Sequence, residues 1–285
     1  MTWLTPDKLD TLNEFRENAL AAGIPPDDIA RWTDTARPCA ILEWRGDGPV
    51  VGRLGGPLLL PVDAPDPWCK LAATLDLAAL PAGATDLALP ADGHLLLFAD
   101  PDPDRIGEGN LGAALHIPAG TAVEERHIDH DPEWRNYPYE TDFPEGLLHL
   151  RTGVSLPFHT SVHAPGFPFG KPLPEHPRAH DLIDVWAELS GNDYGVGLQL
   201  GGYAEDEYQA EDPSVAAGRE AARAEARGEL PPSDTDVRPE DWVCLAQWQH
   251  GIDGLEMALY SWSIARQDLA AGRFDRVYAT MTWNP

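Results

Sequence analysis

The chain has 285 residues, 47 acidic against 20 basic, and a formal net charge of −27. A field of that sign repels phosphate backbones and anionic lipid surfaces, which argues against nucleic-acid and membrane partners and favours a basic protein. No segment reaches the roughly 20 apolar residues of a membrane helix.

The N-terminus, MTWLTPDKLD, puts Asp7, Lys8 and Asp10 where an export signal needs an apolar run. Cys39, Cys69 and Cys244 are too few and too scattered for a disulfide framework. They read as buried, reduced thiols, and a cytoplasmic location is expected.

In chain order, residues 6–22 predict a helix. Pro6 follows Thr5 at its start, and Leu9, Leu12, Phe15, Ala19 and Leu20 recur at helical spacing. Gly23, Pro25 and Pro26 end it. A second short helix begins at Asp27 or Asp28 and carries Ile29 and Trp32. After Arg37 and Pro38, residues 39–44 predict the first strand. From residue 50 to 150, short apolar runs alternate with Pro, Gly and Asp clusters, with strands expected at 71–75, 94–98, 113–117, 122–126 and 147–151. DPDPD at 100–104 predicts a turn, and 129–144 an irregular surface loop.

The proline-rich stretch 157–178 predicts a long connection. Residues 180–189 predict a helix with Leu182, Ile183, Val185, Trp186 and Leu189 on its apolar face. Residues 213–228 predict a second helix, rich in Ala, Arg and Glu and mostly exposed to solvent. A polar loop at 229–240, strands at 242–248 and 257–262, a short helix at 264–272 and a strand at 276–283 complete the chain.

This pattern predicts an α+β fold of mainly antiparallel sheet with a few helices. The expected organisation is a helical segment at 1–38, a first α+β half at 39–156, a connection at 157–178 and a second half at 179–285, together one compact unit. Leu54-Gly55-Gly56, then Trp68-Cys69, Leu71-Ala72 and Gly93, find an echo in Leu200-Gly201-Gly202, then Trp242 and Cys244, Leu245-Ala246 and Gly254. The order repeats although the spacing does not, which points to duplicated halves. Gly55, Gly56, Gly201 and Gly202 read as turns needing positive φ or close chain approach. They match no phosphate-binding fingerprint.

Gly55-Gly56-Pro57, Trp68-Cys69, Leu75-Asp76-Leu77, Leu80-Pro81 and Leu95-Leu96-Leu97-Phe98 resemble the first block of the YwqG-like bacterial family, a domain of unknown function. Leu200-Gly201-Gly202-Tyr203, Trp242-Val243-Cys244-Leu245-Ala246, Tyr260, Trp262, Asp268-Leu269-Ala270 and Arg276-Val277-Tyr278 resemble its second block and tail. The likeness spans most of residues 50–280. A Trp-Gly-Asp element usual in the family is replaced here by Gly251-Ile252-Asp253-Gly254, and a usual His by Val196-Gly197-Leu198. The resemblance implies a duplicated α+β fold and no catalytic residues. Some relatives sit beside secreted toxins, which implies an immunity or toxin-neutralising role.

Three functional readings stand side by side. Trp134, Tyr137 and Tyr139, among Asp129, Asp131, Glu133 and Asp142, combine aromatic anchors with carboxylates that steer a basic protein partner. His127, Asp129 and His130 supply imidazole and carboxylate ligands for a divalent metal, although no recognised ligand spacing is present and a solvated polar loop is the plainer expectation. A pocket between the halves, near the glycine pairs and Trp68 and Trp242, would take a small ligand. His176 and His180, with Asp181 and Asp184, are better read as first-turn charges of the 180–189 helix. No nucleophile signature is present, and Cys69 beside Lys70 reads as a buried structural thiol.

Overall fold

Strand β5 (His94–Ala99), buried on both faces from Leu95 onward, sets the layering of the first half. Leu95, Leu97 and Ala99 enter the main core, while Leu96 and Phe98 enter a smaller one on the other face. Successive strand side chains point to opposite faces, so one strand serves two cores. The computed structural model describes residues 3–128, 143–162, 171–190, 197–206, 208–249, 251–252, 255 and 257–283.

The fold is α+β, and its sheets are mainly antiparallel. Its centre is a ten-stranded sheet. From one edge it runs through β14 (Tyr278–Thr282), β13 (Leu259–Ala265), β12 (Trp242–Gln249) and β11 (Gly197–Gly201) to β1 (Arg37–Glu43). It continues through β8 (Gly146–Ser155), β2 (Val50–Leu54), β4 (Lys70–Asp76), β5 and β6 (Gly112–Ile117). Every neighbouring pair is antiparallel.

The order relates the halves. Strands β2, β4, β5 and β6 match β11, β12, β13 and β14 in sequence, and each set is a meander. The strands that lead the two sets are exchanged. β1 pairs with β11 of the second set, and β8 pairs with β2 of the first. β1 and β8 also pair with each other, joining the halves through backbone hydrogen bonds.

The sheet curls until its edges meet. Leu111 N–H donates to Ala279 O at 3.0 Å. Asn110 completes the seam, its Nδ2 donating to Val277 O at 3.0 Å and its Oδ1 accepting from Ala279 N at 2.8 Å. Trp262 Nε1 donates to Phe98 O at 2.8 Å from within the core. Edge closure removes the unpaired backbone rows that otherwise invite pairing with another chain.

Helices α1 (Pro6–Ala21), α2 (Pro26–Thr33) and α3 (Ala179–Ser190) share a second core with Val154, Leu156 and Phe158. The apolar face predicted for α1 is rotated: Phe15 and Ala19 are buried with the stem of Lys8, while Leu9 and Leu20 are exposed. A lysine stem covers apolar surface while its ammonium meets Trp3 O. Helix α4 (Pro213–Ala226) corrects the expectation of a mostly exposed helix. Ser214, Val215, Ala217, Gly218, Ala221 and Ala224 are buried. Their smallness is what allows close packing, since a Cβ on Gly218 would lie 2.7 Å from Trp242 Cδ1.

Sequence patterning missed β2, β11 and β3 (Leu58–Pro61), which are short and broken by glycine or proline. Ile264 closes β13 rather than opening a helix, and α5 is confined to Arg266–Ala270. Strands β9 (Ser161–Val162) and β10 (Lys171–Pro172) form a small ribbon inside the stretch expected to be loop. The fourteenth strand, β7 (Val123–Arg126), pairs with β3 as a separate two-stranded ribbon. No helix among the described residues is long and apolar enough to cross a membrane.

Candidate functional site: a cavity beside the β3–β7 ribbon

The β3–β7 ribbon lies over the face of β4, β5 and β6 that turns away from the main core. Leu60 and Leu58 reach down to Leu96, Phe98, Ile117 and Leu71. Arg126 fixes the ribbon's end. Its guanidinium donates to Ala64 O at 2.6 Å, Val62 O at 2.6 Å, Pro61 O at 3.0 Å and Asp66 Oδ1 at 2.8 Å.

Beside the ribbon, against the same face of the sheet, lies an open cavity of about 470 Å³. Its walls are mainly apolar: Leu59 and Val123 from the ribbon, Leu96 and Ile117 from the sheet, and Pro118 and Ala119 from the β6–β7 connection. Polar groups converge from two rungs of the sheet. Arg53 faces Thr74 across β2 and β4, and Asp76 faces His94 one rung further along β4 and β5.

Gly93 shapes one wall. Its φ is +85°, and a Cβ there would lie 2.3 Å from Ile117 O. Only glycine lets the chain after β6 approach so closely.

Arg53 is half-buried and makes no hydrogen bond or ion pair with any described residue, and its Nε is buried. Its guanidinium lies against Gly56, where a Cβ would be 2.1 Å from Arg53 Cζ. Other arginines hold carboxylates, among them Arg37, which grips Asp86 at 2.8 and 2.9 Å, and Arg276, which holds Asp268 at 2.7 Å. Asp76 is near in register, but its Oδ1 accepts from Ala78 N at 3.0 Å. The arrangement is a mostly apolar cavity presenting one cation that no described residue pairs with.

No family model matches this chain, and no curated protein matches it.

The predicted site residues fall in several places. Gly55, Gly56, Gly201 and Gly202 all carry positive φ, at +55°, +87°, +70° and +74°, so each pair forms the left-handed turn expected of it. His127 is almost fully exposed, 3.9 Å from Glu125. Asp129 and His130, its companions as metal ligands, lie outside the described residues, as do Asp131, Glu133, Trp134, Tyr137, Tyr139 and Asp142. Among the described residues no group of three or more His, Cys, Asp or Glu is placed to hold a metal ion.

The cavity lies within the first half, beside Gly56, rather than between the halves. Trp242 is buried against α4, and Trp68 sits on the surface under the guanidinium of Arg105. All three cysteines are buried and free. Burial pushes the Cys39 and Cys244 thiols up to about 12 and raises Cys69 too, the reverse of what a reactive thiol needs. His176 packs edge-on against Trp32 at 5.2 Å, and Asp181 pairs with Arg178 at 2.5 Å at the start of α3.

Sequence reasoning missed Arg53. The available signal was the contrast between Arg53-Leu54-Gly55-Gly56 and Gln199-Leu200-Gly201-Gly202, a charged residue where the other half has a neutral one.

Proposed function

We propose that this protein binds a small, largely apolar molecule in the cavity beside the β3–β7 ribbon. The observation that carries the reading is a cavity of about 470 Å³ with mainly apolar walls and one guanidinium that no described residue pairs with. Ligand sites are typically concave and mostly apolar, about 300–1,000 Å³ in volume, with a few polar groups that fix orientation. Arg126, which does not line the cavity, anchors the adjoining end of the ribbon through Ala64 O and Val62 O.

The test is a thermal-shift screen of small amphipathic molecules on the wild-type chain and on Ala119→Trp. Ala119 is exposed and lines the cavity, so the indole fills the space without disturbing the core. A ligand of the native state raises the melting temperature by mass action. Hits that stabilise the wild type and not the variant support the reading. Equal shifts in both would place binding elsewhere.

A second reading rests on the net charge of −27 and on the acidic, aromatic segment 129–142. Under it the chain covers a basic protein, the role that the YwqG-like resemblance implies. Reversing Asp129, Asp131, Glu133 and Asp142 to Lys should then slow association with a cationic partner and flatten its salt dependence. Unchanged kinetics would set the segment aside.

A further inference from the structure

We infer that the ligand of this cavity is an organic acid with one carboxylate on an apolar body, the carboxylate pairing with Arg53. The inference rests on the cavity being a ligand site and names the chemistry it selects.

The duplicated halves supply an internal comparison. Arg53 and Gln199 stand at the same position, two residues before the first glycine of each pair. In the second half the corresponding face is closed. Gln199 Nε2 donates to Gly201 O and Tyr203 O, both at 2.9 Å. Across β11 and β12 it faces Gln247, whose Nε2 donates to Ser261 Oγ at 2.9 Å and Glu205 O at 2.8 Å. Gln199, Gln247 and Ser261 each find hydrogen-bond partners within the chain.

In the first half the same row reads Arg53, Thr74 and Leu96, and it opens on the cavity. An arginine at a closed, internally satisfied position would be a buried charge without a counterion, which is strongly unfavourable. Here the missing counterion has a place to sit.

The shape of that counterion follows from the walls. A guanidinium presents a planar fork of N–H donors that matches the two oxygens of a carboxylate. Among the described residues Arg53 is the one Arg or Lys lining the cavity, so a dianionic phosphate would remain half neutralised among apolar side chains and beside Asp76. The remaining lining is apolar and suits a hydrocarbon or aromatic body. Asp76 and Asp92 line the same space, and the whole chain carries −27, so the general field opposes an anion. Any preference for an acid over its neutral amide therefore reports Arg53 itself.

The experiment uses matched trios of carboxylic acid, primary amide and amine on the same body, from four-carbon to ten-carbon chains and phenylalkyl groups. Affinities are measured by calorimetry on the full chain, on Arg53→Gln, Arg53→Lys and Ala119→Trp. On the wild type the acid of the best trio should bind about tenfold or more tighter than its amide, the scale of a charge-assisted hydrogen bond. Arg53→Gln should abolish that preference while leaving amide binding in place, and Arg53→Lys should keep part of it. Equal binding of acid and amide, preference for the amine, or an acid preference that survives Arg53→Gln would overturn the inference while leaving the cavity as a ligand site. Failure of every trio member to bind the wild type would overturn both.

Discussion

Arg53 and Gln199 occupy equivalent places in the two halves, yet the amide of Gln199 holds two backbone carbonyls at 2.9 Å while the guanidinium of Arg53 holds none among the described residues. The same sheet position is structural in one half and uncommitted in the other.

That contrast predicts unequal costs. Arg53→Gln removes a half-buried charge that no described residue pairs with, so it should leave stability within about 0.5 kcal/mol of the wild type or slightly above it. Gln199→Ala strips the partner from two carbonyls in the turn and should cost about 1–3 kcal/mol. Urea denaturation of the two variants checks the order. A larger loss for Arg53→Gln would mean that the guanidinium already has a structural partner.

The glycine pairs differ in the same spirit. Gly56→Ala imposes a positive φ on a residue with a Cβ, costing about 1–2 kcal/mol, and drives the new methyl into the Arg53 guanidinium. A flexible side chain can yield, so the variant should fold and lose acid binding. At Gly202 a Cβ would lie 2.7 Å from Ser155 Cβ and 3.0 Å from Cys39 Cβ, in the sheet itself. Gly202→Ala should therefore be the less stable of the two by thermal denaturation.

A buried ion pair anchors the second half. Arg276 donates to Asp268 Oδ2 at 2.7 Å, to Pro231 O, and lies 3.0 Å from Glu225, while Ser233 Oγ donates to Asp268 Oδ1 at 2.8 Å. The network ties α5 to α4 and to the loop before β12. Asp268→Ala leaves a buried guanidinium without its main counterion, and breaking such a pair costs about 3–5 kcal/mol. The double variant Asp268→Leu with Arg276→Met should recover much of that loss, and a double variant no better than the single would contradict this assignment.

His159 sets a pH dependence. It is buried beside Tyr203, its Nδ1 has no partner, and burial holds its imidazole below the ordinary 6.5, opposed by Asp212 and Glu211. Below pH 6.5 the unfolded chain takes up a proton that the folded chain resists. The unfolded state then binds more protons, so stability rises with pH up to about 6.5 and this contribution levels off above it. His159→Phe should narrow the stability difference between pH 5 and pH 7. An unchanged difference would assign the acid sensitivity to other groups.

Much of this architecture was legible in the sequence because period-two and helical patterns survive where strands and helices are long and regular. The strands at 94–99 and 242–249 and helix α3 are of that kind. Strands β2, β3 and β11 were not legible, since four or five residues interrupted by Gly52, Pro61 or Gly197 carry too little periodicity. The burial of α4 was hidden because its contact face is Ala, Ser and Gly, whose fit depends on Trp242 rather than on bulk. The turns at the glycine pairs were readable, but the cavity was not. It depends on β3 and β7 meeting across more than sixty residues and on what Arg53 fails to touch, neither of which local spacing encodes.

The central claim is most directly tested by amide chemical shifts of the isotope-labelled chain during titration with 4-phenylbutyrate. The account predicts saturable shifts at Thr74, Gly93, Leu96 and Thr121, little change at Cys244 or Trp262, and loss of the response in Ala119→Trp. Shifts confined to the second half, or a wild-type pattern retained in Ala119→Trp, would contradict it.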